Sequence, residues 1–153
     1  MTRKGSDRML ATNEEMQRMD QRAVEEGHVS MVQLMKQAAD ALFEALCRRY
    51  GRKCRYGIFC GSGNNGGDGY ALALRMKAEG IPFVICSLRE PCSACARHYA
   101  QLLEESGEKV LELSRYAQAI EAADVLVDAL FGTGLNRTLS GDGALLAAAL
   151  NAS

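Results

Sequence analysis

The chain has no long run of like charge, no apolar stretch near its start and no window long enough to cross a bilayer, and each absence removes a class of function. Lys and Arg number 18 against 19 Asp and Glu, a formal net charge of -1, so the broad basic footprint of a nucleic-acid or anionic-lipid binder is missing. Residues Met1 to Leu10 are polar and basic with no hydrophobic region behind them, which excludes the pattern of a secretory signal. No segment approaches the apolar length of a membrane span. These absences set three expectations: a cytoplasmic protein, no nucleic-acid partner and no membrane partner. Internal repeats and low-complexity tracts are also missing, and the charged fraction of 24% beside 48% hydrophobic residues is that of a folded globular chain. At 153 residues one domain is expected, with a tail over 1–11 and the folded part over 12–153.

Six cysteines, Cys47, Cys54, Cys60, Cys86, Cys92 and Cys95, would suit a disulfide framework only in a small secreted chain, and nothing points to secretion. Cys60 and Cys86 end apolar runs and read as small buried hydrophobes. Cys92-Ser-Ala-Cys95 with His98 invites a metal, but a lone CxxC lacks the second ligand pair of a closed zinc site, so helix surface is the expected role.

Hydrophobic period gives the rest of the organisation. Thr12-Asn-Glu-Glu15 has the form of a capping box, and a first helix is expected from there to Glu26, broken by Gly27 and His28. Ser30 can cap a second helix whose stripe of Met31, Leu34, Met35, Ala38, Leu42 and Leu46 is expected to be core. Tyr56 to Cys60 reads as a buried parallel strand. A helix over Tyr70 to Glu79, a strand over Phe83 to Cys86 and a helix over Ser93 to Ser106 follow. After them come a strand over Val110 to Leu113, a helix over Tyr116 to Ala122, a strand over Val125 to Leu130 and a final helix over Ala144 to Leu150. Strands alternating with helices imply parallel strands joined by right-handed crossovers, hence a Rossmann-like, three-layer α/β/α fold with a mostly parallel sheet, preceded by two helices. The last helix is apolar and no strand follows it, so the fold is expected to be incomplete at the C-terminus and prone to self-association as a homodimer.

Two constellations carry chemistry. Gly61-Ser-Gly-Asn-Asn-Gly66 satisfies G-x-G-x-x-G between a strand and a helix, the context of a dinucleotide loop, and no Lys-Ser/Thr follows it, which excludes a Walker-type site. Its continuation, Asn64-Asn-Gly-Gly-Asp-Gly69, supplies amides and a carboxylate from a backbone kept bare by glycine, suited to ribose hydroxyls, amides or a hard monovalent cation. Asp68 could instead cap the helix. The second constellation, Asp128-Ala-Leu-Phe-Gly-Thr-Gly-Leu-Asn-Arg137, closes the fourth strand. A carboxylate inside an apolar strand is costly unless paired or bound to a cation, so Asp128 reads as functional, whereas Arg137 fits a phosphate contact and a solvated loop equally. Both loops follow strand C-termini and are expected to face one crevice.

Taken together, Gly61 to Gly69 and Asp128 to Leu135 resemble the YjeF N-terminal domain family, typified by NAD(P)H-hydrate epimerase, and Met19-Asp20 and Leu34-Met35 extend the likeness towards the start of the chain. The resemblance implies an isomerase of nicotinamide-nucleotide repair that interconverts the R and S epimers of NADH or NADPH hydrated at ring carbon six. It implies K+ held by Asn65 and Asp128, a substrate site lined by Asn64, Asn65, Gly66, Gly67, Asp68, Gly132, Thr133, Gly134, Leu135, Asn136, Arg137 and Thr138, and an ADP- or ATP-dependent NAD(P)H-hydrate dehydratase as partner, fused or separate. Two departures stand out. Lys36 in Leu34-Met-Lys-Gln-Ala-Ala39 replaces the acid of the family's LMENAG, and the chain ends before the family's D-x-P-S-G turn. The rival reading is a non-catalytic binding or dimerisation scaffold of the same fold.

Overall fold

In the computed structural model, which describes residues 13–27, 29–132, 138 and 140–153, the strands carry two different faces and sort the helices between them. Strand β1 (Tyr56–Cys60) is buried along its whole length, with β2 (Phe83–Ser87) on one side and β4 (Val125–Ala129) on the other; β3 (Leu111–Glu112) lies beyond β2. The order β3-β2-β1-β4 is parallel throughout, with Cys60 beside Ser87 on one flank and beside Ala129 on the other. Because alternate residues face opposite ways, Tyr56, Ile58, Cys60, Ile85 and Val127 join one core, and Phe59, Cys86, Val84 and Leu126 join the other.

The first core is covered by α2 (Met31–Tyr50), α3 (Asn64–Ala78) and α4 (Ala94–Glu105), the second by α5 (Tyr116–Glu121) and α6 (Gly141–Asn151). This is the expected three-layer α/β/α architecture. Helix α1 (Asn13–Glu25) precedes it; Thr12 of the expected capping box, His28 and the expected tail over 1–11 lie outside the described residues.

Local chemistry explains the boundaries. Ser30 caps α2 reciprocally: its Oγ accepts from Gln33 N at 3.2 Å while its own N–H donates to Gln33 Oε1 at 2.9 Å. Gly51, with φ +96°, closes the same helix. Ser93 Oγ accepts from Ala96 N at 3.1 Å and opens α4. At the base of the sheet, Tyr56 Oη donates to Gly51 O at 2.7 Å and ties the end of α2 to β1.

Three boundaries or faces differ from expectation. The buried residues of α2 are Met35, Ala39 and Phe43, with Leu46 packed against the same core; Met35 and Leu46 belong to the expected stripe, whereas Met31, Ala38 and Leu42 of that stripe are exposed. Phe43 is chosen because its ring is fully buried beneath the guanidinium groups of Arg75 and Arg52, 5.1 and 5.5 Å from the ring centre. The helix expected from Tyr70 begins at Asn64, so the glycine-rich segment forms its first two turns. Strand β3 is two residues long, because the chain turns into a 3-10 helix at Leu113–Arg115.

Candidate functional site

Strand β1 sends its chain to β2 on one flank while β4 lies on the other, so the strand order reverses between β1 and β4, and open α/β sheets take their ligands beyond the strand ends at such a switch. Both sequence constellations meet at this point. Gly61 N–H donates to Ala129 O at 2.9 Å, tying the two strand ends together. A side chain at Gly61 would put its Cβ 1.9 Å from Leu130 O, and one at Gly132 would touch Asn65 Cβ at 3.4 Å. The loops after β1 and β4 are therefore in contact, as one crevice requires.

The glycines of the first loop divide by what occupies the space a side chain would need. A Cβ at Gly66 would lie 1.9 Å from Gly61 O; at Gly67, 2.7 Å from Met35 Sδ; at Gly69, 2.6 Å from Cys60 Sγ and 2.9 Å from Ala129 Cβ. Gly63 is different: nothing lies within 4 Å of its Cβ position. It is the N-cap of α3, and no side chain caps that helix. The first N–H groups of a helix lack intrahelical partners and sit at the positive end of its dipole. The start of α3 thus offers donors over open space, a setting that favours an anion.

Asn64 is exposed and Asn65 half-buried in that first turn, while Gly66 and Gly67 are buried. Asp68 is the fifth residue of α3, too far in to cap it, which corrects the capping alternative. It is half-buried, and burial pushes its carboxyl up to about 6 from the usual 3.8. Asp128 also departs from expectation. It is exposed, opposite Phe59 in the β1–β4 register, and its Oδ1 accepts from Leu130 N at 2.9 Å, so the cost of burying an unpaired carboxylate does not arise. Gly132 and Thr138 are exposed; Thr133, Gly134, Leu135, Asn136 and Arg137 lie outside the described residues.

Sequence reasoning missed the turn between β2 and α4. Leu88 N–H donates to Cys60 O at 2.8 Å and Cys92 N–H to Ser62 O at 2.7 Å, so this turn braces the approach to the glycine loop from the side. The only signal was the Cys92-Ser-Ala-Cys95 pattern, which had suggested metal or helix surface. Cys95 is buried in the core, against the helix-surface expectation, whereas Cys92 is exposed and His98 lies exposed on α4, edge-on to the Tyr99 ring at 5.2 Å. Among the described residues no three His, Cys, Asp or Glu side chains converge as a metal cluster. Lys36, the other departure, lines a groove of about 200 Å³ between α2 and α3 and pairs with Asp40 at 2.7 Å. Among the described residues no helix is long and apolar enough to cross a membrane.

Asn65 and Asp128 bring amide and carboxylate oxygens to the two loops, one Asp128 oxygen already accepting from Leu130 N. Hard donors of this kind suit an alkali or alkaline-earth ion rather than a thiolate- or imidazole-seeking metal.

Comparison with known proteins agrees with this geometry. The family model described as YjeF-related protein N-terminus matches residues 31–153. An NAD(P)H-hydrate epimerase of Rhodobacter capsulatus is 30% identical over 94% of this chain and 71% of its own length; one from Limosilactobacillus reuteri is 30% identical over 86% and 62%. The bifunctional NAD(P)H-hydrate repair enzyme Nnr of Coxiella burnetii is 31% identical over 94% of this chain, which spans 29% of that protein. A crystal structure of the yeast protein ynu0 superposes with a TM-score of 0.69 at 21% identity, covering 86% of this chain and 60% of that one, and supports the fold. Two glycine loops joined at the β1–β4 switch, on a chain matched by that model from α2 to its last residue, place this protein in the YjeF-related N-terminal domain family.

Proposed function

We propose that the chain acts as an NAD(P)H-hydrate epimerase, interconverting the R and S forms of NADH or NADPH hydrated at ring carbon six. The observation that carries this reading is the contact between the two loops, Gly61 against Leu130 and Gly132 against Asn65, beside the uncapped start of α3. In this reading that arrangement would bring anion-binding N–H groups and amide donors and acceptors to one nucleotide seat. The names of the relatives supply the substrate class.

In this reading the Asn64 and Asn65 amides and the open backbone at Gly63 receive the nucleotide, with Gly132 and residues 133–138 on the facing side. Gly66 and Gly67 act through packing, since both are buried. Asp68, half-buried on α3 with its carboxyl pushed up by burial, would serve in this reading as donor or acceptor to a substrate hydroxyl. Inverting a carbon that carries a hydroxyl requires a bond to that carbon to break and reform, and proton exchange at oxygen assists both steps.

Asn65 and Asp128 would hold K+, whose charge would offset that of the nucleotide phosphates. The functional partner would be an ADP- or ATP-dependent NAD(P)H-hydrate dehydratase; that some relatives are named bifunctional repair enzymes supports this pairing. The test is chromatographic measurement of R-to-S conversion of hydrated NADPH, with and without potassium. Conversion no faster than the uncatalysed rate in either condition refutes the reading.

A further inference from the structure

The turn after β2 bears on which nucleotide the crevice takes, an inference that rests on the epimerase reading and refines it. In open α/β sheets that bind dinucleotides, the pyrophosphate sits over the loop after the first strand, and the adenosine ribose reaches the end of the second, where a carboxylate accepts from a 2′-hydroxyl or an arginine takes a 2′-phosphate. Here β2 ends at Ser87, in register with Cys60 of β1. Neighbouring strands lie ~5 Å apart, so the turn that follows stands one strand-width from the glycine loop.

That turn is held from several sides. Leu88 N–H donates to Cys60 O and Cys92 N–H to Ser62 O, which clamps both ends of residues 88–92 onto the segment leading into the loop. Ser87 Oγ accepts from the buried Tyr70 Oη at 3.0 Å and donates to Arg89 O at 2.6 Å, fixing the backbone of Arg89 itself. The side chain of Arg89 is exposed and has no ion-pair partner among the described residues, although Glu90 adjoins it in sequence.

The turn offers both an acid and a base, and local charge decides between them. Arg97 Nη1 donates to Cys92 O, and its guanidinium is likewise in no ion pair among the described residues. Arg89 and Arg97 against Glu90 leave the turn with a positive balance, which suits a dianionic phosphate better than a neutral hydroxyl.

We infer that Arg89, on the braced turn after β2, is the specificity residue that receives the 2′-phosphate of an NADP-type nucleotide. The experiment uses the full chain with Arg89→Gln, a change at an exposed side chain that leaves the core untouched, and Glu90→Gln beside it. NADP+ and NAD+ affinities are measured by calorimetry, and turnover of hydrated NADPH and hydrated NADH by chromatography. Arg89→Gln is expected to weaken NADP+ binding about tenfold, the scale of one charge-assisted contact, and to raise KM for hydrated NADPH similarly. NAD+ and hydrated NADH should change by less than about twofold, and Glu90→Gln should not reduce NADP+ affinity. Equal effects of Arg89→Gln on both nucleotides, or none on either, overturn the inference while wild-type turnover leaves the epimerase reading standing. A wild-type chain that neither binds nor turns over any of these nucleotides refutes both.

Discussion

Replacing Gly66 with alanine sets two known effects against each other. Within a helix, alanine is favoured over glycine by about 1 kcal/mol, and Gly66 is the third residue of α3 with no positive φ, so propensity alone predicts a more stable protein. The added methyl, however, would stand 1.9 Å from Gly61 O and 2.7 Å from Gly61 C. An ordinary contact needs roughly 3.3 Å, so the Gly61 peptide would have to retreat by more than an ångström. It cannot do so freely: its N–H is bonded to Ala129 O at 2.9 Å, and its own α-carbon is pressed against the Leu130 carbonyl. Overpacking against flexible side chains costs about 1–3 kcal/mol, and backbone yields less readily, so the clash wins by ~2 kcal/mol net. For a domain of this size that lowers Tm by about 4–8 °C. Thermal melting by circular dichroism measures it, with Gly63→Ala as the control. Gly63 has open space and φ -90°, so only about 1 kcal/mol or less of capping preference is at stake. A Gly66→Ala protein that melts at or above the wild type would refute the assignment of this glycine to the close approach of α3 and the β1 end.

Asp128→Asn is expected to abolish potassium dependence of nucleotide affinity, read by titration in K+ and in choline; the same dependence in both proteins would remove Asp128 from the cation shell. Asp68→Asn tests the raised carboxyl. An acid whose folded pKa is raised contributes stability present below its unfolded value of 3.8 and lost as pH rises through about 6, so the variant should be the more stable protein at pH 7.5 and should lack the decline between pH 4 and 6. The rise in pKa corresponds to at most about 3 kcal/mol, and solvent at a half-exposed carboxylate cuts this to ~1 kcal/mol. Turnover should fall in the same variant, and a rise in both stability and turnover would contradict a functional Asp68. Thiol labelling of the native chain should reach the exposed Cys92 first and leave Cys60 and Cys86 untouched, since both are buried and burial raises their thiols, Cys86 to about 11; early loss of Cys60 would refute the packing of β1.

The strands and crossovers were legible because their apolar runs are short, separated by turns and bounded by glycine, and only a parallel sheet buries Tyr56 to Cys60 on both faces. The face of α2 was not legible, because the helix carries two apolar stripes. Met35 was in the expected stripe, but placing Ala39 and Phe43 in the core rather than Ala38 and Leu42 depends on Arg52 and Arg75, contributed by other segments, lying over Phe43. The start of α3 was misplaced because three glycines in the six residues from Asn64 to Gly69 carry poor helix propensity; tertiary contacts override that, each of the three making room for a neighbour rather than for a turn. Asp128 was read as buried from the apolarity of its own strand. Whether a strand residue is covered depends on the opposite layer, and at Asp128 the α5 and α6 side leaves it open. The meeting of the two loops was inferred correctly, because strand polarity alone puts both at the same end of the sheet.

The first loop therefore encodes packing and recognition in one stretch, and the atoms around each glycine rank them for alanine substitution. At Gly66 the obstacle is backbone that is itself pinned. At Gly69 it is Cys60 Sγ, Ala129 Cβ and Ile58 Cγ2, short side chains rooted in the sheet, which yield only if β1 and β4 separate from α3. At Gly67 the nearest atoms are Met35 Sδ and Cε, the far end of a flexible side chain, with the Ala96 backbone at 3.2 Å; a methionine can re-route, so the cost is smaller. At Gly63 there is nothing to displace. The expected order of destabilisation is Gly66 and Gly69 first, then Gly67, then Gly63. Nucleotide affinity should follow a different order, because a methyl at Gly63 intrudes where the ligand would approach while leaving the fold intact. If affinity merely tracked stability across the four variants, Gly63 would have no role beyond its helix cap, and the open space above α3 would not be the nucleotide's seat.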